Sequence, residues 1–170
     1  MFIRLFRPAD TDQVAQLFHD TIRTINLGDY SQEQVEAWAP NNLYFRDWET
    51  VCTKYFTYVA EERGQILGFG ELEKNGHINC FYCHKNNQRR GVGTQIYRAI
   101  ERKANLLELE FLCVEASIIA KLFFQKMGFS TIRRQQVYCR GQAFINYLMQ
   151  KPLLAAIANK NPLSVKNEDL

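Results

Sequence analysis

The sequence contains no long apolar run. Its longest stretch without a charged residue is ten residues, half of the roughly 20 that a membrane-spanning helix needs. Linker composition is also missing: 4 prolines and 9 glycines are scattered singly through 170 residues. With no internal repeat either, residues 1–151 read as one domain of ordinary size, followed at 152–170 by a short helix and a frayed tail. Neither sign of charge is in large excess. Lys and Arg number 21 against 18 Asp and Glu, net +3, with a pI near 8.6. That is short of the roughly pI 9 and crowded basic face of a nucleic-acid binder.

Cysteines are few, odd in number and dispersed (Cys52, Cys80, Cys83, Cys113, Cys139), which reads as reduced thiols rather than a disulfide framework. Arg4, Arg7 and Asp10 interrupt the opening MFIRLFRPAD, where an export signal would be apolar. The expectation is a cytoplasmic globular protein with no membrane or nucleic-acid partner. Cys80-Phe81-Tyr82-Cys83-His84 has the haem-attachment spacing, but positions 80 and 83 of a strand face opposite sides. The same objection meets a zinc site there, so no metal is expected. Arg133 and Arg134, adjacent on a strand, likewise face opposite ways and read as solvated charges.

What is present is core material: 46% hydrophobic and 13% aromatic residues. A first strand covers 2–7. Asp10 with Gln13 has capping-box spacing, and Val14, Leu17, Phe18, Ile22 and Ile25 follow a helical period up to Gly28. Ser31 with Gln34 opens a second helix, with Val35 and Trp38 inward and Pro40 as its stop. Runs at 57–62, 66–73 and 77–83, joined by Arg63-Gly64 and Asn75-Gly76, form a meander. From Gly91 the period becomes helical again, through Val92, Ile96, Ala99, Ile100 and Ala104. The run 109–115 reads as a strand buried on both faces. Ser117 caps a helix bearing Ile119, Leu122, Phe123 and Lys126, closed by Gly128. A last hairpin turns at Arg140-Gly141. The predicted order is β-α-α-β-β-β-α-β-α-β-β, a mixed sheet with helices on its faces.

The sharpest local feature is Gln88-Arg89-Arg90-Gly91-Val92-Gly93-Thr94, between a strand and an amphipathic helix. Gly91 and Gly93 remove side chains that would block a ligand's approach to the backbone. First-turn amides and the helix dipole suit an anion, and Arg89 and Arg90 add charge. Ile96 occupies the third glycine position of a dinucleotide fingerprint, and no Gly-Lys-Ser/Thr follows. A plain glycine-bearing helix start is the structural alternative.

In its setting, this turn resembles the phosphate loop of the GNAT superfamily of acetyl-CoA-dependent N-acetyltransferases, Gln/Arg-x-x-Gly-x-Gly/Ala. The resemblance covers about residues 2–151. The segments YSQEQVEAWA (30–39), EASIIAKLFFQKMGF (115–129) and QQVYCRGQAF (135–144) are similar to a small bacterial branch. It implies the GNAT fold, a mixed α/β (α+β) architecture whose mostly antiparallel sheet has splayed central strands. It also implies acetyl-CoA as acyl donor and an amine, small-molecule or peptide, as acceptor. Monomer and homodimer both stay open.

On the same basis the backbone of Phe81 to Cys83 implies a pantetheine edge, with the Cys83 amide at the thioester oxygen. The amides from Gln88 to Thr94, with Val92 among them, match the pyrophosphate site. Ser117 stands where a pantetheine-bonding asparagine is common. Phe124 replaces the usual tyrosine acid, for which Tyr138, Tyr147 or Cys139 are stand-ins. His77 matches a base position, with Asn79 on the same face to hold a water; Glu71 and Glu73 are rival bases, and an exposed turn residue is the plain reading of His77. Tyr30, Trp38 and Tyr44 border the implied acceptor pocket or pack as core. The competing functions are a non-catalytic acyl-CoA-binding module and an RNA- or ribosome-associated protein.

Overall fold

The computed structural model describes residues 1–154; the expected short helix and tail lie outside them from residue 155 on. Strand β1 (Phe2–Leu5) leads to α1 (Thr11–Ile25), α2 (Gln32–Trp38) and α3 (Trp48–Lys54). The meander is β2 (Phe56–Glu62), β3 (Gln65–Leu72) and β4 (His77–Cys83). Then come α4 (Val92–Leu106), β5 (Phe111–Ser117), α5 (Ile118–Lys126), β6 (Ser130–Cys139) and β7 (Gln142–Pro152). The strands form one sheet in the order β1-β2-β3-β4-β5-β7-β6. The β4–β5 pair is parallel and the rest antiparallel.

Each face of the sheet has its own core. Val14, Leu17, Phe18 and Ile22 of α1 pack with Trp48, Val59 and Phe69 on one face. Ile96 and Ile100 of α4 and Phe124 of α5 pack with Leu72, Ile78, Leu112 and Met149 on the other. Gly68 and Gly70 let α4 approach β3 closely: a Cβ on either would sit 2.9 Å from the Ile96 side chain.

Several local expectations change. Asp10 does not cap α1 with its side chain. Its carboxylate takes the Arg4 guanidinium at 2.7 and 2.8 Å and the Arg7 amide at 2.8 Å, while Gln13 reaches across to Gly64 O and Ile66 N. A two-atom ion pair outcompetes a single capping bond. Ser31 and Gln34 do form a reciprocal capping box. Helix α3 is an addition to the predicted order: its two turns carry only Trp48 and Cys52 as buried positions, too few to show a helical period, and Asp47, accepting from the Thr50 amide, is its cap. Strand β5 is not buried on both faces. Leu112, Val114 and Ala116 are buried while Phe111 and Glu115 are exposed, because the second face opens onto a cleft. The buried face of α5 centres on Phe124, and Leu122 is 67% exposed.

Candidate active site

β4 and β5 touch at only two register pairs, His77↔Cys113 and Ile78↔Val114, and then part. The His84 amide bonds Leu67 O on β3 at 2.8 Å. By strand alternation the amides of Cys83 and Phe81 therefore point the other way, into the gap. The gap is a cleft of about 900 Å³, floored by these two strands and walled by the loop before α4 and by α5. Thr21 Oγ1 and Gln88 Nε2 both donate to Cys83 O, at 3.1 and 2.7 Å, fixing the end of β4. Burial pushes the Cys83 thiol up to about 11, so it stands there as a neutral packing group.

The turn before α4 forms one side of the cleft. Gly91 is the N-cap of α4 at φ +81°, and Arg89 is also left-handed at φ +58°. Such a left-handed turn running into a helix aims successive amides at one point. A Cβ on Gly93 would lie 3.3 Å from Phe123 and 3.4 Å from Cys83 Sγ, so glycine here lets the helix start close to the cleft floor. Gln88, Arg89, Gly91, Val92, Gly93 and Thr94 all line the cleft. Arg90 does not: it is exposed and lies near enough to Glu62 to help hold that carboxyl down, behind the charged N-terminus.

Asn79 and Glu115 line the cleft, and behind them stand side chains from distant segments. Glu71, fully buried, receives Arg46 on both oxygens at 2.7 and 2.8 Å and Asn79 Nδ2 at 2.9 Å. Arg46 also donates to Cys80 Sγ at 2.9 Å. His77 lies between two carboxylates, Nδ1 to Glu73 at 3.0 Å and Nε2 to Glu115 at 2.7 Å. Burial alone depresses this imidazole, but the two carboxylate hydrogen bonds outweigh it and its pKa lies above the ordinary value.

That geometry corrects several expected roles. With both ring nitrogens facing carboxylates, the His77 surroundings favour the protonated ring over one with a free lone pair, and it does not line the cleft, which is not the setting of a neutral histidine base. Glu71 and Glu73 are likewise committed, to Arg46 and His77. Tyr138 is 73% exposed on the edge strand, where its hydroxyl takes Gln136 Nε2 at 2.8 Å, so the structure does not bring it to the site. Tyr44 is exposed too, donating to Asp12 at 2.6 Å on the surface. Asn79, Phe81, Cys83 and Trp38 do meet in the cleft.

Tyr30 is core rather than pocket wall. It packs edge-on against Trp38 at 5.4 Å, and its hydroxyl accepts the Ile118 amide at 3.2 Å. Burial raises its pKa. Ser117 Oγ is engaged in capping α5 through the Ala120 amide. Phe124, 1% exposed, packs on Phe81 and Phe129, so the position carries no proton donor. Sequence reasoning missed Arg46 and Glu115. For Glu115 the available signal was a carboxylate within the otherwise apolar stretch Phe111–Ala116.

Comparison with known proteins decides the family. The model for the acetyltransferase (GNAT) domain matches residues 26–151. The chain belongs to the GNAT acetyltransferase family. It is 30% identical over 148 residues to the uncharacterized N-acetyltransferase YafP of Escherichia coli (strain K12), covering 87% of this chain and 93% of that one. A GCN5-related N-acetyltransferase from Rhodopseudomonas palustris superposes with a TM-score of 0.83 at 31% identity, covering 89% and 95%. The PaiA N-acetyltransferase of Thermoplasma acidophilum, solved with coenzyme A, shares the fold at a TM-score of 0.73 and 14% identity, covering 89% and 98%. No helix among the described residues is long and apolar enough to cross a membrane.

Proposed function

We propose that this GNAT protein moves an acetyl group from acetyl-CoA to a primary amine by direct attack, with both substrates bound together. One observation carries the reading: the free amides of Phe81 and Cys83 and the N-terminal amides of α4 open into the same cleft. The first pair fits the polar edge of a pantetheine arm, the second a pyrophosphate, with Arg89 adding charge. The coenzyme A held by the PaiA protein of the same fold supports that ligand.

Attack forms a C–N bond at the thioester carbon, where an amide of the β4 edge steadies the oxyanion. The C–S bond then breaks and CoA leaves with the electron pair. A thiol pKa of about 8.5 makes the thiolate a tolerable leaving group, so Phe124 in the tyrosine position does not stop the reaction. Incubating the protein with acetyl-CoA and a panel of amines, while following free thiol, is the test. Thiol release that needs both amine and intact protein supports the transferase.

A second reading, an acyl-CoA-binding module without turnover, is favoured by the same Phe124 and by the commitment of Glu71 to Arg46 and of Glu73 to His77. Acetyl-CoA binding with no thiol release across the panel would establish it.

A further inference from the structure

Ile78↔Val114 is the last pair before the strands part. The next residues, Asn79 and Glu115, therefore face each other across the opening fork, on the sheet face covered by α1 and α2. Both line the cleft. Asn79 gives its amino group to Glu71, which leaves its Oδ1 for the fork. Glu115 Oε2 takes His77 Nε2, which leaves Oε1. Its side chain is 44% exposed, and it is the one carboxylate among the described residues lining the cleft. The cations that line it stand elsewhere, Arg89 on the loop and Lys126 on α5, over the other face.

Resting on the transferase reading above, we propose that Glu115 receives the acceptor's ammonium group and takes its proton, with Asn79 Oδ1 as the second acceptor. The ammonium gives one proton to Glu115, and the neutral amine then attacks the acetyl carbon. As the C–N bond forms and the C–S bond breaks, the second proton lost by nitrogen goes to the departing thiolate. Glu115 returns its proton to water at the cleft mouth. His77 and Glu73 are positioning residues: the imidazole on β4 joins Glu73, just past β3, to Glu115 on β5 and so aims Glu115. The remaining groups around it are the Cys113 thiol on β5 and, by register, the neutral Gln150, Leu148 and Asn146 of β7. A single carboxylate in a cleft that the Trp38 ring also lines selects a monoamine with an apolar body. The further charges of a polyamine find no partner there.

Steady-state kinetics of the full chain with acetyl-CoA and two probes, 2-phenylethylamine and spermidine, test this. For Glu115→Gln we expect kcat/KM for the monoamine to fall roughly 10²-fold or more, while acetyl-CoA affinity by calorimetry holds. Glu115→Asp recovers part of the loss. His77→Gln lowers kcat less, and adding it to Glu115→Gln costs nothing further, since it acts through that carboxylate. Parental kcat/KM in Glu115→Gln, with the parent turning over, overturns the role of Glu115 and leaves the transferase reading standing. A parent that binds acetyl-CoA but acetylates neither probe nor any other amine overturns that reading and this role together. Preference for spermidine overturns the assigned acceptor class.

Discussion

The two walls of the fork are built by different means. On the α4 side the groups facing the cleft are backbone amides, held by a glycine cap at φ +81° and by strand edges. On the α1 and α2 side they are side chains, Asn79 and Glu115, each oriented by a buried or half-buried ionic partner. A backbone wall recognises a ligand common to a whole family and is indifferent to most side-chain changes. A side-chain wall can be rewritten residue by residue, which is why the transferase reading assigns acceptor choice to it.

Substitution at the glycines should separate the walls most sharply. Gly91→Val imposes a β-branched residue at φ +81°, where a Cβ meets open space but the backbone is strained. Gly93→Val adds atoms beyond a Cβ already 3.3 Å from Phe123. Each variant should lose acetyl-CoA binding by calorimetry while keeping a cooperative melt. Parental affinity in either would remove the phosphate seat from the α4 terminus.

The next effect falls on stability. Arg46→Met leaves the Glu71 carboxylate fully buried without its partner, and breaking one half of such a pair costs about 3–5 kcal/mol. For a chain of this length that lowers Tm by about 6–20 °C, measurable by scanning calorimetry. An Arg46→Met protein that melts with the parent would mean the pair contributes nothing and Asn79 needs no such anchor.

The amide wall was legible because its signals are local: two glycines, a strand before and a helical period after, all within one short segment. The side-chain wall draws on Trp38, Arg46, Glu71, His77 and Glu115, far apart in the chain. His77 and Glu73 flank one hairpin, so their meeting follows from Asn75-Gly76. Glu115 reaches His77 only through the parallel register His77↔Cys113, which no local pattern encodes. Glu71 meets Asn79 through an irregularity between Gly70 and Leu72, equally invisible. Tyr138 and Tyr30 show the converse: aromatic type and approximate place were readable, but exposure on an edge strand and burial under α5 were not.

The His77 clamp adds a smaller, pH-dependent difference between the walls. Its folded pKa is raised by Glu73 and Glu115, so the protonated form stabilises the fold. That contribution is complete below the unfolded value of about 6.5 and disappears as pH rises through the folded one. The Tm gap between parent and His77→Gln should therefore be widest in mild acid and narrow towards alkaline pH. A gap that widens with pH would mean the ring is held neutral, and would return it to consideration as a base.

The smallest effect is expected at Tyr138, and it bears on the same division. Its ring stands 73% exposed on β6, the edge strand farthest from β1. Among the described residues its hydroxyl has one partner, Gln136 Nε2, itself on that strand. Tyr138→Phe removes a surface hydrogen bond in water, which belongs to the class of substitutions within about 0.5 kcal/mol of neutral. It should leave Tm, acetyl-CoA affinity and kcat for the monoamine at parental values. The alternative is specific: if this phenol supplied the proton that Phe124 cannot, kcat alone would fall, most steeply for reactions limited by thiolate departure, with KM for the amine unchanged. That outcome would require β6 to close over the cleft during turnover, and the acceptor wall would then include the hairpin.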